Sequence, residues 1–129
     1  MSNMTRLKVE VKDVNQRILG VALGLIADHY DLKLEVSDYV LDYFYREFQK
    51  CMYVLKGPGL DRGMGFNIVG DRLEIIGDAD PHVQPLFREI QEQLKQYYIA
   101  AQHLLALKTM GCPVKVEKQK DKIVITAVR

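Results

Sequence analysis

The chain has 129 residues, the length of one domain, and 48% of them are hydrophobic, which is enough apolar material for a packed core. Charged residues make up 27% and the formal net charge is +1, so the composition excludes a disordered chain and a protein that attracts nucleic acid through its overall charge. The longest apolar run, residues 18–27, contains two glycines and is shorter than the ~20 residues that span a bilayer.

The first residues contain no apolar segment typical of a signal peptide. Cys51 and Cys112 lie far apart in the sequence and form neither a CxxC pair nor a zinc-ligand spacing. These features predict a cytoplasmic protein with two free thiols and without a membrane anchor, a bound metal ion or a cofactor.

The first predicted element is a β-strand over residues 5–12, where apolar and polar residues alternate. Asp13 stands at the N-cap position of the helix expected next, whose apolar residues recur at helical spacing until about Tyr30. Renewed alternation at 32–36 predicts a second strand. The chain is therefore expected to open with a strand, a helix and a strand.

The next stretch, residues 38–56, fits both the helical and the strand spacing of apolar residues. Several apolar residues between 38 and 56 recur at helical spacing, while three near its end alternate. We predict a short helix over about 38–49 and a strand over about 51–56. The glycine-rich segment 57–65 is predicted to be a loop between strands, because glycine and proline favour turns.

The clearest turn is Gly70-Asp71, which joins two apolar segments at 66–69 and 72–76. A two-residue connection with a glycine, which tolerates positive φ, predicts a β-hairpin. The turn fixes which residues of the two segments lie opposite each other.

A long amphipathic helix is expected after this hairpin. Asp80 and Pro81 are typical of a helix start, and a second proline moves the true start towards 83–84. Apolar residues then recur at helical spacing until about Met110, and Gly111 is the expected cap.

Segments 114–116 and 123–127 predict a terminal hairpin. The complete order is β-α-β-(α)-β-β-β-α-β-β. Because helices alternate with hairpins, we predict a single α+β domain with a mixed or antiparallel sheet and two long helices packed on one face.

An aromatic segment at 39–48 is the first candidate partner surface. Its mixture of tyrosines and basic side chains is typical of protein interfaces and of surfaces that stack on single-stranded nucleic acid, although core and rim packing would also explain it. Acidic and basic residues balance over 38–56, which favours a protein partner. The candidate residues are Tyr39, Tyr43, Tyr45 and Arg46.

The C-terminal segment is basic. Residues 108–129 carry six basic and two acidic residues, whereas residues 71–107 carry three basic and six acidic ones. Lysines of edge strands commonly face solvent and discourage further pairing. The alternative function is nucleic-acid binding through a basic patch of Lys115, Lys118, Lys120 and Lys122.

No catalytic motif is recognisable. Segment 57–65 lacks the Gly-Lys-Ser/Thr ending of a phosphate-binding loop and leads into a strand, and the three histidines share no ligand spacing. An enzyme would need a site assembled from separated residues, and the candidates are Asp78, Asp80, Arg62 and His82.

Several local sequences occur in a familiar order: the strand at 8–13 that runs into a helix, Gly65-Phe66 at a strand start, the helical sequence 97–105, and Gly111 before the last hairpin. Together they resemble the hypothetical chloroplast reading frame thirty-five family of small cyanobacterial and plastid proteins. That family has no established activity, so the resemblance implies a fold more than a function. Its members look like companions of larger machinery, which implies an adaptor role.

The sequence thus favours a non-enzymatic adaptor or accessory subunit that binds another protein, with homo-oligomerisation as a further possibility. The two alternatives from other classes are a nucleic-acid-binding domain and an enzyme with a site that only the fold would assemble.

Overall fold

A computed structural model describes residues 4–9, 13–41, 48–119 and 122–127. This part of the chain contains two α-helices, α1 (Gln16–Tyr30) and α2 (Phe87–Thr109). It also contains seven strands: β1 (Met4–Val9), β2 (Lys33–Leu41), β3 (Phe48–Gly57), β4 (Leu60–Val69), β5 (Arg72–Asp78), β6 (Val114–Gln119) and β7 (Lys122–Ala127).

Five strands form one sheet in the order β1-β5-β4-β3-β2, and every neighbouring pair is antiparallel. Strands β6 and β7 form a separate antiparallel hairpin. The prediction of an α+β domain is confirmed, and the sheet is antiparallel rather than mixed. The predicted turn at Gly70 is also confirmed, since Val69 pairs with Arg72.

The main core lies between the sheet and the two helices, which pack against each other on one face of the sheet, as predicted. Burying each of its large apolar side chains contributes about 1.5–3 kcal/mol. The largest contributors are Leu19, Leu23 and Ile26 of α1, Phe87, Ile90, Leu94 and Tyr97 of α2, and Leu55, Met64, Phe66, Leu73 and Ile75 of the sheet.

Helix α1 is capped two residues later than the sequence suggested. Asn15 Oδ1 accepts hydrogen bonds from the backbone N–H groups of Arg17 (2.8 Å) and Ile18 (3.2 Å), so Asn15 is the N-cap. Asp13, the predicted cap, has a φ of 55° and lies in the preceding turn. Asp13 and Asn15 are both good capping residues, and sequence alone did not distinguish them.

Helix α2 also begins later than predicted. Asp80 Oδ1 accepts from His82 N at 2.9 Å and the Asp80 carbonyl accepts from Gln84 N at 2.8 Å, so Asp80 closes a separate turn. The helix itself follows Leu86, whose side chain offers no hydrogen-bond acceptor. Two prolines in 81–85 favour turn geometry and delay the first regular helical turn.

The C-terminus of α2 agrees with the prediction. Gly111 has a φ of 74°, Gly111 N donates to Lys108 O at 3.0 Å, and Cys112 N donates to Leu107 O at 3.0 Å. This pair of bonds is a Schellman motif, in which glycine accommodates the left-handed backbone at the helix end.

The predicted helix over 38–49 is wrong where the structure describes it, because β2 continues to Leu41 and β3 begins at Phe48. Val40 and Cys51 pack together from two adjacent strands. Their separation in sequence equals about three helical turns, so a strand pair imitated helical spacing. Residues 42–47, between the strands, lie outside the described residues.

The predicted loop over 57–65 is also wrong. Only Pro58 and Gly59 form a turn, and β4 begins at Leu60. Gly63 and Gly65 are strand residues, and another part of the sheet packs against them. A side-chain Cβ at Gly65 would lie 3.0 Å from Val40 Cγ1 and would overlap Cys51 Sγ. Gly65 therefore serves close packing rather than a loop, while Gly63 also has a φ of 88°, which favours glycine.

The strand pair β2–β3 bends sharply in the middle. Ser37 has a φ of 57°, and opposite it Met52 N donates to the Asn67 side-chain oxygen at 2.8 Å instead of continuing the ladder to β4. Beyond the bend, Asp38 Oδ2 reaches Lys56 Nζ at 2.6 Å, although the two residues lie far apart in the β2–β3 register. We call the part beyond the bend, Asp38–Leu41 with Phe48–Cys51, the β2–β3 arm.

The β2–β3 arm covers the face of the sheet opposite the helices. Val40 and Cys51 form a second buried cluster with Val54 and Ile76. At the far side of the sheet, Arg6 Nη2 donates to Gln49 Oε1 at 2.6 Å, and Arg6 Nη1 lies 3.4 Å from Glu74 Oε1. The sheet is thus covered on one face by helices and on part of the other by its own strands.

Candidate functional site

The edge of the sheet at β2 carries the first candidate site. Strand β2 is the last strand in the sheet order, so its outer backbone groups have no strand partner within the described residues. Val36 is 69% exposed and Tyr39 46% exposed, and they stand on either side of the bend at Ser37. The alternation at 32–36 places Val36 on the same face as Leu32 and Leu34, yet Val36 is exposed.

The Lys56–Asp38 ion pair fixes the backbone between these two side chains. A hydrogen bond from Lys56, with a smaller contribution from the Tyr39 backbone N–H, lowers the pKa of the Asp38 carboxyl. The pair is about one-third exposed, so solvent screens much of its energy. It positions the arm more than it stabilises the protein.

Of the predicted partner surface, the structure places Tyr39 alone. Tyr43, Tyr45 and Arg46 lie outside the described residues. Tyr39 projects from a strand and not from the predicted helix. Val36 was missed as its companion because it lies outside the aromatic segment 39–48.

The basic candidates lie on the terminal hairpin. Lys115 Nζ is 2.7 Å from Glu117 Oε1, and this hydrogen bond raises the pKa of Lys115. In the backbone ladder Lys118 pairs with Ile123 and Lys122 with Gln119, while Lys120 lies outside the described residues. The neighbouring carboxylate reduces the positive field that Lys115 contributes.

Three of the four candidate residues of a scattered active site, Arg62, Asp78 and Asp80, bond through their backbones to a structural glutamine. Gln84 is fully buried; its Nε2 donates to Gly63 O at 3.0 Å and to Asp78 O at 2.8 Å, and its Oε1 accepts from Arg62 N at 2.8 Å. Asp78 Oδ1 accepts from Asp80 N at 3.0 Å, and His82 is exposed. These contacts are with backbone groups, which is typical of a structural connection. Sequence reasoning missed Gln84 because a polar residue in a turn gives no burial signal.

A cleft lies where α1, α2 and the terminal hairpin meet. Its volume is about 270 Å³. The Tyr97 hydroxyl is hydrogen-bonded to His29 Nδ1, and the two rings pack edge to face with centroids 5.6 Å apart. The lining residues are Leu25, Asp28, His29, Tyr97, Val116, Glu117 and Ile123.

The sequence did not predict this cleft, because His29 and Tyr97 are far apart in the chain and were assigned to separate helices. One signal was present: His29 follows Leu25 by four residues and therefore shares its helix face. Burial lowers the pKa of His29, while the nearby Asp28 and Glu89 carboxylates oppose that shift. The imidazole is therefore neutral at neutral pH.

Lowering the pH is expected to destabilise the protein through His29. In the folded protein the pKa of His29 lies below 6.5. As the pH falls, the unfolded chain therefore binds the proton first, and the free energy of unfolding decreases below pH 6.5. We expect the stability advantage of the wild type over H29Q to shrink between pH 7.5 and 5.5 in urea titrations. H103Q, which replaces an exposed histidine of α2, is the matched control variant. If the free energy of unfolding of H29Q changes with pH as much as that of the wild type, this assignment is wrong.

Cys51 is 2% exposed, and burial raises the pKa of its thiol to about 11. Such a thiol is protonated at neutral pH and is a poor nucleophile. Both cysteines are free, in agreement with the prediction of two free thiols.

Among the described residues there is no group of three or more His, Cys, Asp or Glu side chains that would hold a metal ion. Neither described helix is long and apolar enough to cross a membrane. Comparison of the chain with protein-family models, curated proteins and solved structures finds no match. The resemblance to the hypothetical chloroplast reading frame thirty-five family therefore stays a prediction.

Proposed function

We propose that this chain is a non-enzymatic protein-interaction subunit that binds another protein through the edge of β2. The observation that carries the proposal is the exposure of two large apolar side chains, Val36 and Tyr39, on an edge strand. Covering them would stabilise a complex by roughly 25 cal/mol per Å² of apolar surface. The adaptor role implied by the family resemblance agrees with this function.

The edge also offers backbone groups to a partner. An extended segment that adds to a sheet edge gains affinity from main-chain hydrogen bonds and specificity from alternate side chains. The left-handed residue Ser37 interrupts β2, so the regular part of the edge is the four-residue stretch Lys33–Val36. We expect a partner to pair with this stretch and to cover Val36 and Tyr39 at its end.

The test is affinity capture of the tagged chain from its native host, with nuclease treatment and mass spectrometry. Wild type is expected to retain a stoichiometric protein companion, and the double variant V36E/Y39E is expected to lose it, because two carboxylates would be buried at the contact. V69E is the matched control, since Val69 is 57% exposed but lies at the β4–β5 turn. Unfolding curves of all three proteins verify that each is folded.

Two outcomes would contradict the proposal. The first is a solitary wild-type protein, and the second is a companion retained equally by V36E/Y39E. A companion lost equally from V69E would show that the contact lies elsewhere. Omitting the nuclease tests the nucleic-acid alternative, since phosphate-driven binding falls steeply with added salt.

A further inference from the structure

The cleft beneath the terminal hairpin has the composition of a small-molecule site. Three apolar side chains, Leu25, Val116 and Ile123, form part of its walls, and they come from three different elements. Its volume of about 270 Å³ is close to the lower end of the usual range for ligand pockets. The cleft is therefore large enough for one ring or a short chain.

The charged side chains that line the cleft in the described part of the chain are acidic. They are Asp28 and Glu117, and no Lys or Arg whose side chain the structure describes is among the lining residues. Glu117 already has a cationic partner, Lys115, at 2.7 Å. Asp28 forms no ion pair with any other residue in the part of the chain that the structure describes. A ligand that complements this arrangement carries a positive charge near Asp28.

A second polar group in the cleft is His29. Its Nδ1 is occupied by the Tyr97 hydroxyl, whereas its Nε2 is buried and has no hydrogen-bond partner among the described residues. A buried polar atom without a partner is costly. Because this nitrogen is closed to solvent, the Asp28 carboxylate is the group to which a ligand in the cleft donates.

We propose that this cleft binds a small organic cation with an apolar body, whose charged N–H group donates to the Asp28 carboxylate. The apolar body packs between Leu25, Val116 and Ile123. Because the ligand contacts both helices and the terminal hairpin, binding also holds the hairpin against α1 and α2. This site is separate from the β2 edge.

The test uses benzylamine as the cationic probe, with benzyl alcohol as the neutral and benzoate as the anionic analogue. Binding to the full chain is followed by amide NMR titration, which locates the site. We expect benzylamine to shift the signals of Leu25, Val116 and Ile123 with a Kd on the order of 1 mM, the affinity expected for so small a molecule. Benzyl alcohol is expected to bind about tenfold more weakly, and benzoate not measurably.

Two variants test the residues. D28N is expected to weaken benzylamine binding about tenfold, the usual effect of losing a charged hydrogen-bond partner. D61N removes the same charge from an exposed position on β4 and is expected to leave the Kd unchanged. L25W fills the cleft and is expected to abolish binding, while D28N provides the test if L25W does not fold.

Several results would overturn the proposal. One is the absence of shifts with benzylamine, and another is equal binding of benzoate. A third is an unchanged Kd in D28N. Shifts confined to the neighbouring surface beside Ala100 and His103, which also contacts β7 and has no acidic residue among its described lining residues, would likewise refute it.

Discussion

Replacing Gln84 with methionine is expected to lower the free energy of unfolding by about 3 kcal/mol, because the change removes three hydrogen bonds and keeps nearly the same side-chain volume. The Gln84 side chain, in the turn before α2, links the backbone of β4 to the end of β5. Its loss leaves two carbonyl groups and one N–H group without that partner. For a domain of this size the loss corresponds to roughly 10 °C in the thermal midpoint.

The measurement is urea unfolding of Q84M beside Q102M. Gln102 is an exposed residue of α2, and its replacement should change stability by less than about 0.5 kcal/mol. If Q84M loses no more than Q102M, the buried hydrogen bonds of Gln84 do not stabilise this fold. Because Arg62, Asp78 and Asp80 surround Gln84, the same experiment also tests the structural interpretation of that cluster.

The contrast between Gln84 and its neighbours shows how far the sequence predicted the fold. Local features were sufficient where one segment determines its own structure, as at the Gly70 turn and the Gly111 helix end. Gln84 bonds to Arg62 and Gly63, which lie more than twenty residues earlier. No local pattern encodes that contact.

The two candidate sites differ in the same way. Tyr39 was identified because a cluster of aromatic residues is visible in the sequence, although its secondary structure was predicted wrongly. The pairing of His29 with Tyr97 depends on how α1 packs on α2, since the partners lie 68 positions apart in the sequence. A histidine on an apolar helix face is a local signal, but its partner becomes known only with the helix packing.

The β2–β3 arm was not predicted for a further reason. Its packing depends on two glycines in a neighbouring strand, and glycine in sequence first suggests a turn. Gly65 lacks a positive φ, so backbone freedom is not why glycine occupies this position. The reason is space, because Cys51 and Val40 lie directly over its Cα. Glycine at a close approach and glycine in a loop look identical in a sequence.

Gly65→Ala is therefore expected to destabilise the protein by about 2–3 kcal/mol, the cost of overpacking a close contact. The added methyl group overlaps Cys51 Sγ and lies 3.0 Å from Val40 Cγ1, so the arm must move away from the sheet. Gly24→Ala is the matched control. Gly24 lies inside α1, and apart from its chain neighbours and the helix backbone no described atom lies within 4 Å of the added carbon, so alanine should stabilise the protein by about 0.5–1 kcal/mol.

Urea unfolding measures both changes, and thiol labelling shows whether the arm moves. In the wild type Cys51 is buried and protonated, so it should react much more slowly than Cys112; in G65A it should become reactive.

Removing Sγ with C51A should offset part of the G65A loss, with a coupling of about 1 kcal/mol or more in a double-mutant cycle. If G65A is as stable as the wild type and Cys51 stays protected, the arm does not lie on Gly65. Opposite effects of the same substitution at Gly24 and Gly65 would show that it is the packed arm, and not glycine itself, that determines the cost.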